Sequence, residues 1–115
     1  MTALPGTPSE MPAAVRLAPL ELAGYQEGSV VSRVLLKRNG GTLTLFAFDA
    51  GQGLSEHTAP FDAVAHVLEG EVEITIAGQA LLATAGAMVL MPANQPHALT
   101  ARTRFKMLLT MIRSA

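Results

Sequence analysis

Short apolar segments separated by turn signals recur through most of this chain, about every 8–12 residues, and this spacing limits the fold more than any other feature. No segment favours a long helix, and Pro19 weakens the short helical turn that residues 17–25 could form. The pattern predicts an all-β sandwich or barrel. The segments with strand length and composition are residues 29–37, 42–50, 71–76, 80–83, 87–91 and 105–112.

The clearest predicted strand is residues 71–76, where the side chains alternate in polarity. A period of two places Val72, Ile74 and Ile76 on one face of the strand and its polar residues on the other. The pair Asn39-Gly40 between two apolar segments predicts a hairpin, because asparagine and glycine tolerate positive φ angles. The two segments that flank this pair are therefore expected to form a hairpin.

Composition excludes several functional classes. The 115 residues fit one domain, with a flexible tail over residues 1–14 and a single barrel over residues 15–115. Half of the residues are hydrophobic and the net charge is −1. The chain has no basic stripe of the kind that binds nucleic acid and no basic amphipathic stretch of the kind that binds a membrane surface. The absence of cysteine excludes disulfides and thiolate sites. With no membrane-spanning run and no secretory signal pattern, a cytoplasmic protein is expected.

Two segments carry a recognisable motif pair. The first has Gly51, His57 and the closing Gly70, and the second has Gly86, Pro92, Asn94 and His97. Together they resemble the two signatures of the cupin superfamily, in which a glycine precedes a His-x-His pair, a glutamate and a glycine, and a second glycine precedes Pro-x-Gly, a histidine and an asparagine. The resemblance implies a small RmlC-like cupin, a jelly-roll barrel (double-stranded β-helix) with a pocket between its two sheets.

The motifs are degenerate at positions where cupins usually carry metal ligands. Ala59 stands at the position of the second histidine and Ala63 at that of the glutamate, while Ala101 replaces the final asparagine. Asn94 replaces a glycine, a substitution that a left-handed turn accepts. The resemblance therefore leaves two imidazoles, His57 and His97, as candidate ligands of a divalent transition metal such as Fe, Zn, Ni, Mn or Cu. Two protein ligands are few, since catalytic zinc sites normally have three.

The predicted ligand pocket is centred on these two histidines. If His57 points inward, regular alternation turns the side chains of Ser55 and Ala59 inward as well. Phe61 is expected at the opening of the pocket and Met91 in its wall. The complete predicted lining is Ser55, His57, Ala59, Phe61, Met91 and His97.

His66 and Asp62 depend on the register of the following strand. If Ala63 and Ala65 face the pocket, His66 and Asp62 face the other way, and His66 is a structural or interface residue. A shift of one residue near Pro60 would instead turn His66 and Asp62 inward and add two candidate metal ligands.

Three functions remain open at this point. The loss of two ligand positions favours a protein that binds a small organic molecule in the barrel pocket. The resemblance also implies the alternative of a divalent-metal-dependent oxygenase or isomerase acting on a small metabolite, and the third possibility is an interaction module. The sequence does not decide whether the protein is an enzyme.

A homodimer is expected, because small jelly rolls leave sheet edges and apolar faces to be covered. The candidate interface elements are residues 29–37 and the N-terminal segment.

Overall fold

The computed structural model describes residues 10–113, and β-strands form almost all of its regular structure. The one helical element in that range is a three-residue 3-10 helix, Pro19–Glu21. The all-β class predicted from the turn spacing is confirmed. The nine strands are β1 (Val30–Arg38), β2 (Gly41–Phe48), β3 (Gly53–His57), β4 (Phe61–Glu69), β5 (Glu71–Ile76), β6 (Gln79–Thr84), β7 (Met88–Met91), β8 (His97–Ala101) and β9 (Phe105–Arg113).

The strands form two antiparallel sheets. One has five strands in the order β1-β2-β9-β4-β7, and the other has four in the order β3-β8-β5-β6. After β2 the chain passes repeatedly from one sheet to the other, which is the connectivity of a jelly roll. The predicted jelly-roll barrel is therefore confirmed, and its interior is the space between the two sheets.

The main core fills that space with side chains from the inner faces of both sheets. The rings of Phe48 and Phe105 are fully buried and stack with centroids 4.5 Å apart. Val72 and Ile74 of β5 are also fully buried, so the alternation predicted for this strand is confirmed. The other buried members are Ala63, Ala65, Val67, Ala83, Met91, Leu99, Ala101 and Met107.

A second apolar cluster lies on the outer face of the five-stranded sheet, where the N-terminal segment crosses it. Leu35 and Leu45 are buried beneath residues of this segment, Met11 among them. The Met11 amide also donates a hydrogen bond to the Leu35 carbonyl over 2.9 Å. Glu10 and Met11 of the predicted tail thus contact the barrel, and residues 1–9 lie outside the described range.

Tyr25 fixes the end of the N-terminal segment against the same sheet. Its hydroxyl donates a hydrogen bond to Glu69 over 2.5 Å, and the ammonium of Lys106 lies 4.9 Å from the centre of its ring. Burial of the ring, reinforced by the Glu69 carboxylate, raises the pKa of Tyr25. The phenol therefore stays neutral and keeps its proton for this hydrogen bond.

The predicted β1–β2 hairpin is present, with Asn39 and Gly40 between the two strands. Neither residue has a positive φ, so the physical reason given for this hairpin was wrong, although the hairpin itself was predicted correctly. Asn94, in contrast, has a φ of 63°, as expected of a residue that replaces a glycine. Residues 10–113 include no helix with the length and apolar character needed to cross a membrane.

Candidate functional site

His57 and His97 meet at one end of the barrel. His57 is the last residue of β3, His97 is the first residue of β8, and the two are directly opposite each other in the antiparallel pair. Their ring centroids are 4.4 Å apart with an angle of 65° between the planes, an edge-to-face contact. His97 is 6% exposed and His57 is open to solvent. One ring thus forms the floor of the site and the other its rim.

A β-bulge in β3 brings His57 to this position. Leu54 is opposite Leu99 and His57 is opposite His97, so three steps along β3 match two steps along β8. The extra residue interrupts the alternation of side chains and places His57 on the same face as Leu54, which packs against the core. A bulge that re-aims a side chain is a common feature beside functional sites.

The bulge changes the expectation for Ser55, which assumed regular alternation up to His57. Ser55 is exposed and borders an open groove with Leu54 and Leu99. Its contact with the histidine pair is through the backbone, because the Ser55 carbonyl oxygen lies 2.8 Å from Nδ1 of His57. The bulge interrupts the regular alternation assumed between Ser55 and His57, and the place of Ser55 in the pocket lining remains a prediction.

Each imidazole is held in one tautomer by the backbone. Nδ1 of His57 lies 2.8 Å from the Ser55 carbonyl oxygen, and Nδ1 of His97 lies 3.1 Å from the Gln95 carbonyl oxygen. A carbonyl oxygen only accepts hydrogen bonds, so Nδ1 carries the proton in both rings. Nε2 is then the ring atom that each histidine has available for a ligand.

Ala59 and Ala63, at the positions where cupins usually have ligands, follow β3 along the chain. The Ala59 carbonyl accepts a hydrogen bond of 2.8 Å from the Asn94 amide, which ties the loop after β3 to the loop before His97. Ala63 is 4% exposed on the inner face of β4, directly opposite Met91 and Met111. Neither alanine side chain offers a polar atom, so His57 and His97 are the candidate metal ligands that the motif pair retains.

The register of β4 is regular from Phe61 to Val67, and its irregularity against β9 comes only after Val67. Ala63, Ala65 and Val67 are buried between the sheets, so His66 and Asp62 lie on the opposite face. His66 is half-buried, and its partners across the neighbouring strands are Met88 and Leu108.

Asp62 is exposed and stabilises a loop. Its Oδ1 accepts a hydrogen bond of 2.9 Å from the Ala93 amide, in the segment that leads to His97. The carboxylate therefore contributes to the site indirectly, by positioning the loop that precedes the second histidine.

Phe61 and Met91 differ in their access to solvent. Phe61 begins β4 and borders a small cavity, whose other lining residues include Met111 and Arg113. Met91 is 2% exposed within the main core. Their proposed contact with a ligand remains a prediction.

The donor set is small for a resident metal ion. Within residues 10–113, no group of three or more His, Cys, Asp or Glu side chains is placed to hold a metal. Two Nε2 atoms can occupy two coordination positions, fewer than the three protein ligands of a typical catalytic zinc centre. The residues present therefore do not form a complete metal centre by themselves.

The family follows from the sequence and the fold together. The family described as "Cupin domain" matches residues 44–113, which is more than half of the chain. The chain belongs to the cupin family. This cupin has the two-sheet barrel of the family and both motif histidines, while alanine occupies two of the positions where a ligand is usual.

Solved structures with the same fold cover most of this cupin. A conserved protein of unknown function from Streptococcus pyogenes is 30% identical, with 100% of this chain and 97% of that chain covered and a TM-score of 0.87. A cupin superfamily protein from Desulfitobacterium hafniense is 28% identical, with 91% and 96% covered and a TM-score of 0.85. An RmlC-like cupin from Desulfovibrio desulfuricans is 29% identical, with 81% and 91% covered and a TM-score of 0.73. No curated protein sequence matches the chain.

Proposed function

We propose that this cupin binds a small organic molecule at the barrel end formed by His57 and His97. The observation that carries the proposal is the pair of imidazoles 4.4 Å apart, each with Nδ1 bound to a backbone carbonyl. Two Nε2 atoms at one place can accept hydrogen bonds from hydroxyl or amide groups of one ligand. We expect this activity in the cytoplasm.

The surroundings of the imidazoles support an organic ligand. Ala63 and Met111 on the facing sheet are apolar. A few fixed polar groups in an apolar setting are typical of sites for small molecules. The fixed tautomer adds selectivity, because a ligand group that only accepts hydrogen bonds finds no donor at Nε2 of a neutral ring.

A thermal-shift screen with a metabolite panel tests this proposal, and the third histidine provides its control. A ligand at one hundred times its Kd should stabilise the protein by about 2.7 kcal/mol. His57→Ala and His97→Gln should remove this stabilisation, while His66→Ala should retain it because His66 lies on the outer face of β4. Equal stabilisation of all three variants would place the ligand elsewhere.

A divalent-metal-dependent oxygenase or isomerase is the second candidate, and one observation favours it. Histidines that bind metals usually donate the other ring N–H to a carbonyl or carboxylate, as Nδ1 of His57 and His97 does here. A bound divalent metal would supply Lewis-acid chemistry, with substrate or water completing its coordination. Elemental analysis of protein purified without chelator tests this candidate. Near-zero metal, with none taken up from added Zn²⁺, Fe²⁺, Ni²⁺, Mn²⁺ or Cu²⁺, would remove it.

A further inference from the structure

A small cavity lies at the same end of the barrel as the two histidines. It has a volume of about 30 Å³ and is lined by Gly41, Thr42, Phe61, Met111 and Arg113. Phe61 follows His57 after a three-residue loop, so the Cα atoms of these two residues are at most about 14 Å apart. One organic molecule of modest size could therefore contact the cavity and the imidazoles together.

Thr42 supplies the first sign that the cavity accepts a polar group. Its hydroxyl oxygen is buried and has no hydrogen-bond partner among residues 10–113. A buried hydroxyl without a partner is unfavourable, and such groups in proteins usually have a partner. The volume of the cavity corresponds to about two water-sized groups, which matches the two oxygens of a carboxylate.

The second sign is the positive charge on this wall. The guanidinium of Arg113 lies over the ring of Phe61, 5.3 Å from its centre, and the Arg113 amide is fixed by a hydrogen bond to the Gly40 carbonyl. Lys37 is directly opposite Thr42 across the β1–β2 pair and is exposed outside the cavity lining, so it adds positive charge to the surface nearby. The arginine ion pairs within residues 10–113 involve other arginines, namely Arg38, Arg102 and Arg104.

We propose that this cavity binds the carboxylate of a small organic acid whose remaining part reaches His57 and His97. The planar guanidinium of Arg113 offers two parallel N–H groups to a carboxylate, and the Thr42 hydroxyl donates a third hydrogen bond once its side chain turns toward the cavity. Arg113 and Thr42 would thus select acids over neutral molecules of the same shape. The inference rests on the proposed small-molecule function and assigns the class of its ligand.

The test compares acids with their neutral amides on the full chain. Butyrate, malonate and benzoate are titrated at millimolar concentrations beside the corresponding amides, with binding followed by NMR at the backbone amides and at the rings of His57 and His97. At least one acid should bind at least tenfold more tightly than its amide and shift the signals of both rings. Arg113→Gln should weaken that acid by about tenfold, whereas Arg16→Gln, which removes an exposed arginine elsewhere, should leave it unchanged.

Thr42→Val distinguishes ligand recognition from a structural role. The change removes the unpartnered hydroxyl at nearly constant shape, so the thermal midpoint without ligand should rise while the affinity for the acid falls by about fivefold. A lower midpoint together with lower affinity would show a structural role and overturn the assignment of Thr42.

The outcomes also separate this inference from the function on which it rests. Amides that bind as well as their acids and shift both histidine rings would overturn the carboxylate site and leave the small-molecule function standing. Acids that bind in an Arg113-dependent way without moving either ring would overturn the histidine function and leave an independent carboxylate site. If no acid produces any shift, the carboxylate site is overturned.

Discussion

Replacing Gly70 with alanine should destabilise this cupin by more than its backbone conformation alone predicts. Gly70 is the single residue between β4 and β5, where the chain passes from one sheet to the other, and its φ is +80°. Any other L-residue in this left-handed conformation costs about 1–2 kcal/mol. A Cβ atom at this position would also overlap the Arg104 carbonyl oxygen and lie 2.7 Å from Cβ of Phe105.

The neighbours of Gly70 have little freedom to move. Phe105 is fully buried, and its ring is stacked against Phe48. Overpacking of this kind typically costs about 1–3 kcal/mol, so the total for Gly70→Ala is about 2–5 kcal/mol. Gly78→Ala is the matched control, because Gly78 has a φ of +83° and no atom within 4 Å of its added Cβ. It should cost about 1–2 kcal/mol, from backbone conformation alone.

Urea unfolding of the wild type and both variants measures the difference. With an unchanged m-value, Gly70→Ala should have the lower free energy of unfolding, by at least about 1 kcal/mol relative to Gly78→Ala. Equal losses would refute the reasoning, since the contact with the start of β9 would then contribute nothing. A changed m-value in Gly70→Ala alone would indicate loss of the two-state fold, which is a more severe form of the same effect.

Three further predictions concern the site, the response to acid and the assembly. Ala63→Glu, which restores the usual cupin carboxylate, should lower stability without metal and recover at least about 2.7 kcal/mol with zinc at one hundred times its Kd. Its control Ala65→Glu, on the same buried face, should lower stability without recovery, and equal behaviour of the two variants in thermal scans would contradict this. The amide of Gly28 and the guanidinium of Arg104 hold the pKa of Asp49 below its usual value, so the stability that the Asp49 carboxylate contributes is present at neutral pH and is lost as the pH falls through the lowered pKa. Asp49→Asn should therefore lose less stability than the wild type on acidification to about pH 3, as measured by urea midpoints. We also expect light scattering to give the mass of a homodimer, and a monomer mass for the wild type would contradict this. Leu90→Glu, at an exposed apolar position of the edge strand β7, tests whether that edge belongs to the dimer interface.

Local sequence was sufficient for much of the barrel. The alternation in β5 decided which side chains face the core, because adjacent residues of a strand point to opposite faces. The same rule applies to His66 and Asp62 in β4, whose outward direction depended on a regular register, and the register is regular from Phe61 to Val67. The Asn39-Gly40 pair marked the hairpin correctly even though the turn does not use positive φ angles.

The rest of the site depended on contacts between distant segments. Regular alternation placed Ser55 with His57, and the pairing with β8 reveals a bulge in β3 that interrupts this alternation. Thr42 and Arg113 carried no signal that would connect them to His57. They belong to β2 and β9, and the strand order brings them beside Phe61.

The sequence by itself determined the family, the all-β class and the two retained imidazoles, because glycine and histidine spacing and side-chain alternation are properties of short segments. The tertiary structure decided how those imidazoles are used. A strand bulge aims His57 at His97, backbone carbonyls hold both Nδ1 protons, and three strands distant in sequence form the cationic cavity at the same end of the barrel. These features arise from pairing between residues far apart in the chain, which no local pattern specifies.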